Sequence, residues 1–188
     1  MELHVENLCK SYNGRLVLEN VTFTAGPGVT CVMAPSGAGK TTLLRILMGL
    51  ERPDSGSFTG NVRWAAVFQE DRLLEHLDAM ENLRFVLGSA LDESAANVLL
   101  TELGLGDTAG KPVREFSGGM KRRLALARAL LAPSDALALD EPFTGLDEEN
   151  RARCQALIRR MAPGKPVLLV THDPADVRDA ALLRLPMS

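Results

Sequence analysis

The chain reads as an α/β fold, a mostly parallel sheet flanked by helices, and three observations predict it. Residues 29–33, 136–139 and 167–170 are short, apolar runs of the kind buried on both faces of a sheet. Helical stretches come after them across short links, which is how parallel strands are connected. A glycine-rich segment, Ala34 to Thr41, lies between the first of these strands and the helix after it.

Residues 3–8 and 17–24 alternate apolar with polar, as half-buried antiparallel strands do. Gly26-Pro27-Gly28 is a turn and residues 29–33 a buried strand. Residues 42–48 have helical character, with Gly49 suited to the helix end. Pro53-Asp54-Ser55-Gly56 turns the chain into a strand over 62–68. From Leu73 to about Gly106 apolar residues fall at helical spacing (Leu83, Val86, Leu87, Val98, Leu99, Leu100, Leu103), which predicts a helical insertion with a small core of its own. Residues 118–131 form an amphipathic helix with Lys121, Arg122, Arg123 and Arg128 on its polar side. A strand over 136–139, a helix over 147–161 and a strand over 167–170 complete the core. The residues after His172 suffice for one short helix and a final strand, with no regulatory domain expected. The expected organisation is a single domain, 1–188, with a core of 1–69 and 133–188 and a helical subdomain of 70–132. There is no internal repeat or low-complexity tract.

Composition narrows the function classes. A length of 188 residues can bury a sizeable core. Lys and Arg total 21 against 24 Asp and Glu, a net charge of −3 that argues against nucleic acid as the main partner. Hydrophobic residues make up 46%, yet no uncharged run approaches bilayer length. The first six residues do not read as a signal peptide. Cys9, Cys31 and Cys154 are odd in number and widely spaced, so a reducing, intracellular setting is expected rather than disulfides or zinc.

The chemistry starts at the glycine-rich segment. After a buried strand and before a helix, Gly37 and Gly39 let backbone N–H groups of Ser36, Ala38 and their neighbours converge on a phosphate. Lys40 would reach the β- and γ-phosphates and the Thr41 hydroxyl would coordinate Mg²⁺, the pattern of a P-loop. Ala34 stands where this loop usually begins with glycine. That is harmless at negative φ and costs about 1 kcal/mol or more in a left-handed conformation. Asp140 ends an apolar strand, at the sheet edge where ligands gather, and could hold Mg²⁺. Glu141 comes next and could polarise an attacking water; an Asp-Glu pair can also simply cap a helix. Ser117 can cap a helix or bind an anion, and Gly118 and Gly119 leave the backbone bare at a positive helix end.

Taken together, Ala34 to Thr41, Phe116-Ser117-Gly118-Gly119-Met120 and Leu139-Asp140-Glu141-Pro142 resemble the ATPase subunits of the ABC transporter family, compact and importer-type, from Tyr12 to His172. The resemblance implies a P-loop NTPase core binding ATP through Ser36 to Thr42, with Lys40 among the catalytic groups. It implies Gln69 as a Q-loop residue touching metal and water, so that Thr41, Gln69 and Asp140 form the metal set. It implies His172 as a switch histidine beside Glu141, and residues 118–131 as the signature helix. Ser117, Gly118 and Gly119 would complete the ATP site of an opposing subunit. Asp147, in Thr144-Gly145-Leu146-Asp147, would contact that subunit, or else is an ordinary N-cap. Tyr12 falls where the family stacks an aromatic on adenine; packing is the alternative.

Departures are Phe116 for leucine and Met120 for glutamine, which predict weaker polar support but not a lost site. Only 29 positions separate Lys40 from Gln69, so a trimmed N-terminal antiparallel β-subdomain is expected, with its scar at Gly56 to Gly60. Leu73, Leu74 and Leu77 lie where such ATPases dock on a membrane partner, as core residues or as an exposed groove. The implied function is a Mg²⁺-dependent ATPase subunit of a membrane transporter, with a bacterial importer expected. It would pair head to tail as a dimer and dock on an integral membrane permease, with a separate solute-binding protein. It would sit in the cytoplasm on the inner face of the membrane. A soluble ATP-switched interaction protein of the same superfamily is the alternative. A small-molecule kinase has no use for Ser117-Gly118-Gly119.

Overall fold

A computed structural model describes residues 1–35, 37–173, 176 and 180–185, less the side chain of Arg184. The chain divides into two compact units, Met1–Trp64 with Ser134–Glu141 and Ala162–Ser188, and Ala65–Pro133 with Pro142–Met161.

The first unit opens with a hairpin. β1 (Leu3–Tyr12) and β2 (Arg15–Ala25) pair antiparallel from Leu3↔Ala25 to Tyr12↔Arg15. Asn13 and Gly14 join them with φ of 51° and 78°, the left-handed pair that a two-residue hairpin turn requires. A third strand, β4 (Ser55–Phe58), pairs with β1 and gives the order β2-β1-β4. It runs through the segment expected to be a scar. Gly56 permits this pairing: at φ 90°, a Cβ there would lie 2.5 Å from the Asn7 carbonyl oxygen.

The buried apolar runs form the parallel sheet. β3 (Gly28–Met33) pairs with β7 (Pro166–Val170) from Gly28↔Pro166 to Val32↔Val170. β8 (Ala181–Arg184) lies on the other edge of β3, with Thr30↔Ala181. β6 (Ala136–Asp140) pairs with β7, so the order in this unit is β6-β7-β3-β8. Every residue of β6 and β7 is buried, as expected for strands covered on both faces. α1 (Lys40–Leu47) packs Leu43, Leu44, Ile46 and Leu47 toward β6 and β7. It begins two residues earlier than its apolar spacing indicates, and closes at Gly49 (φ 71°), where the Gly49 and Leu50 N–H groups return to Ile46 and Arg45 carbonyls. β5 (Trp64–Val67) carries the chain out of this unit.

The second unit is helical. α2 (Ala79–Leu87) starts in a reciprocal capping box between Asp78 and Glu81, and α3 (Glu93–Glu102) is capped by Asp92. α4 (Gly118–Leu131) is capped by Ser117, whose Oγ accepts from the Met120 N–H at 3.2 Å. α5 (Glu148–Met161) begins just after Asp147. Leu83, Leu99, Leu103, Leu105, Val113 and Leu124 form a buried core in this unit. Two sequence expectations are corrected here. Val86 and Val98 are 53% and 58% exposed, because the inward stripe of α2 is Ala79, Asn82, Leu83 and Leu87 and that of α3 is Ala96, Leu99 and Leu100. Arg122 is buried rather than on a solvated face.

Candidate functional site

In the first unit, the glycine-rich loop connects β3 to α1. Ser36 lies outside the described residues. Gly37 and Gly39 both have φ of 82°. At Gly39 close approach adds to the conformational demand: a Cβ would lie 2.7 Å from Leu18 Cδ2 and 2.8 Å from the Val17 carbonyl oxygen. Ala34 is not among the left-handed residues, so its methyl group brings no backbone strain. Lys40 arcs back over the loop and its Nζ donates to the carbonyls of Ala34 (2.6 Å) and Pro35 (2.9 Å). Those carbonyls hold the ammonium against the loop backbone.

One residue further into α1, Thr41 Oγ1 donates to Asp140 Oδ2 at 2.7 Å. The two residues are far apart in sequence, and Asp140 is only 4% exposed at the end of β6. A hydroxyl beside a carboxylate is a hard-oxygen donor pair, the kind Mg²⁺ accepts when substrate phosphates and water fill its other positions. Among the described residues there is no cluster of three or more His, Cys, Asp or Glu placed to hold a metal.

Glu141 comes next, with φ of 50°. In this left-handed conformation its N–H donates to the Val170 carbonyl (2.9 Å). Glu141 Oε1 lies 2.8 Å from His172 Nδ1, a contact between the ends of adjacent strands β6 and β7. This hydrogen bond, then the carboxylate charge, raises the His172 pKa above its usual value. Tyr12, on the tip of the hairpin, donates to Glu51, and Lys10 Nζ stands 5.3 Å from its ring centroid. Partial burial, then the Glu51 hydrogen bond, raises the phenol pKa, while the Thr42 hydroxyl works the other way. Tyr12 is 41% exposed, so it is not a packed core aromatic.

In the second unit, Gln69 is exposed and its carbonyl accepts from Arg122 Nη2 at 2.7 Å. Ser117, Gly118 and Gly119 line a cleft of about 560 Å³ together with Gly145, Asp147 and Asn150. A Cβ on Gly119 would meet the Gly145 carbonyl oxygen at 3.3 Å, so the glycine lets the start of α4 approach the Gly145 loop. Asp147 accepts from the backbone and side chain of Asn150 (2.8 and 2.9 Å), an N-cap geometry, and these bonds lower its pKa. Leu73, Leu74 and Leu77 are half-buried, neither a closed core nor an open groove. The exposed large apolar residues of this unit are Phe85, Val86 and Val98.

The structure thus brings Tyr12, Thr42, Lys40, Thr41, Asp140, Glu141 and His172 into the first unit. Gln69, Ser117, Gly118, Gly119 and Asp147 fall in the second. Sequence reasoning missed Glu51, which anchors Tyr12 and lies 3.5 Å from Lys10 Nζ. It also missed Asn82, 2% exposed, whose amide is held by Leu74 and Asp78 backbone groups. An asparagine in an otherwise apolar helical stripe was the available signal for the second; nothing local marked the first.

A family model described as ABC transporter matches residues 18–144. The chain belongs to the ABC transporter family. It is 41% identical over 176 residues to the aliphatic sulfonates import ATP-binding protein SsuB of Delftia acidovorans, covering 91% of this chain and 73% of that protein. Its identity to the aliphatic sulfonates import ATP-binding protein SsuB 1 of Rhodococcus jostii is 41% over 171 residues, 86% of this chain and 69% of that one. A solved structure titled "Structure of ATP binding subunit of ABC transporter" superposes with a TM-score of 0.87 at 27% identity, covering 98% of this chain and 86% of the other. The fold of this ABC-family chain is accordingly α/β, a mostly parallel sheet flanked by helices with a small antiparallel sheet.

Proposed function

We propose that this chain is the ATP-binding, ATP-hydrolysing subunit that powers a multi-subunit bacterial membrane importer. The observation that carries the reading is the Thr41–Asp140 contact, which joins the glycine-rich loop to the buried strand end beside Glu141. Lys40 would exchange the Ala34 and Pro35 carbonyls for phosphate oxygens. Glu141, steadied by His172, would accept a hydrogen bond from the attacking water and orient it. Tyr12 offers an exposed ring for the base. Mg²⁺, when bound with ATP, would offset charge on the phosphates, and Thr41 and Asp140 are the groups to hold it, with Gln69 as the proposed third.

Two copies would meet head to tail, with Ser117, Gly118 and Gly119 of one facing the loop of the other and Asp147 near the seam. Exposed Gly118 and half-buried Gly119, at the positive end of α4, suit a γ-phosphate. In this reading the functional core would be 1–69 with 133–188 and the helical subdomain 70–132, whereas by compactness residues 65–69 and Pro142–Met161 group with the helical unit. Among the described residues no helix is long and apolar enough to cross a membrane. The names of the relatives, import ATP-binding proteins, support a separate permease chain as the partner, with this subunit on the inner face. A solute-binding protein would deliver the cargo; the names of the relatives point to a sulfonate. Glu141→Gln tests the reading: ATP binding should persist and hydrolysis fall by roughly a hundredfold or more. Hydrolysis at the wild-type rate would sink it.

A further inference from the structure

The segment after β5 is bound to α4 by two arginines in a pattern that the proposed ATPase cycle does not by itself require. Arg122 Nη1 donates to the Phe68 carbonyl at 2.6 Å and Nη2 to the Gln69 carbonyl at 2.7 Å. Arg128 repeats the motif further along the helix, with Nη2 to the Asp71 carbonyl at 2.9 Å and Nη1 to the Arg72 carbonyl at 2.6 Å. Each guanidinium therefore spans two consecutive carbonyls, a use of its planar fork that a lysine cannot copy. The spacing agrees with this. Six helical residues advance about 9 Å, and the three residues between anchor points span about 10 Å when extended.

Other contacts stiffen the same loop. Arg72 has φ of 50° and its guanidinium lies 3.9 Å over the Phe68 ring. Arg122, with a side chain 8% exposed, stands 3.1 Å from Asp71 Oδ1. That oxygen lies off the N–H direction and receives no hydrogen bond, so the pair attracts by charge while the guanidinium protons go to the carbonyls. A buried guanidinium without those carbonyls would be poorly satisfied.

We propose that Arg122 and Arg128 are positioning residues, a strap that locks the backbone of residues 68–72 to α4 and holds the Gln69 side chain in fixed relation to Ser117-Gly118-Gly119. The consequence for catalysis rests on the reading of Gln69 given above. The strap makes residue 69 and the start of α4 one rigid piece, so that a displacement felt at either is transmitted to the other.

The test uses the full chain labelled with ¹⁵N-glutamine, since its glutamines are Gln69 and Gln155 only. In the wild type the backbone order parameter of Gln69 should match that of Gln155 in α5, about 0.85, and in Arg122→Met combined with Asp71→Asn it should fall below about 0.6 while Gln155 is unchanged. The paired change leaves no orphan carboxylate. Should Gln155 also loosen, Arg122→Lys, which keeps the charge but not the fork, replaces it. The same variant should lose roughly tenfold in kcat with the KM for ATP within twofold. Adding Gln69→Ala to it should cost nothing further. A rigid Gln69 in the variant overturns the strap, and a mobile Gln69 with unchanged kcat overturns its role in positioning. Gln69→Ala alone with wild-type kcat would instead overturn the reading of Gln69 and leave the strap to the order parameters.

Discussion

Replacing Gly39 by alanine should destabilise the protein more than the same change at Gly37, two residues away. Both glycines have φ of 82°, so both alanines carry the left-handed cost of about 1–2 kcal/mol. Only at Gly39 does the new methyl meet an obstacle, with Leu18 Cδ2 at 2.7 Å and the Val17 carbonyl oxygen at 2.8 Å; at Gly37 nothing lies within 4 Å. The carbonyl belongs to β2 and cannot swing away as a side-chain end could. Overpacking of this kind costs about 1–3 kcal/mol. For a chain of this size each kcal/mol moves Tm by roughly 2–4 °C, so the two variants should melt about 2–12 °C apart. Differential scanning calorimetry without nucleotide reads the difference directly. Equal melting temperatures would refute the claim that the hairpin backbone sets the loop's shape.

Two further outcomes concern the first unit. Thr41→Val removes the donor to a buried carboxylate, a loss of about 1.5–3 kcal/mol, whereas Thr41→Ser should retain most of it; a valine variant that melts with the wild type contradicts the 2.7 Å bond. His172 has its pKa raised by Glu141 from the ordinary value of 6.5. The stabilisation from its protonated form is therefore full below 6.5 and is lost as pH rises through the higher folded-state value. Following the imidazole resonances through a titration checks this, and a His172 midpoint at or below 6.5, or one unmoved by Glu141→Gln, would contradict it.

Much of the local structure was legible. Ser117 caps α4 at the residue its hydroxyl indicated, and α4 ends at Leu131 as the apolar spacing predicts. Thr41 and Asp140 were both named from motif chemistry, and the fold places them in contact. The failures share a cause. β4 is a strand because it fits the free edge of β1, and its own sequence, Ser55–Phe58, has little strand character. Glu51, with no motif around it, accepts from the Tyr12 hydroxyl 39 residues away.

The arginines of α4 mark the limit most clearly. Glycine positions, helix caps and buried strands are set by short-range sterics, and a chain carries those constraints in a few neighbouring residues. Arg122 and Arg128 look like a solvated face by the same local rules. Arg122 is buried and Arg128 half-buried because carbonyls more than fifty residues away are turned toward them. A charged group leaves water only where partners replace its hydration. The amino-acid order therefore settled where the buried strands, the helix caps and the left-handed glycines of the loop lie, and the tertiary fold alone decided which backbone each arginine of α4 would hold.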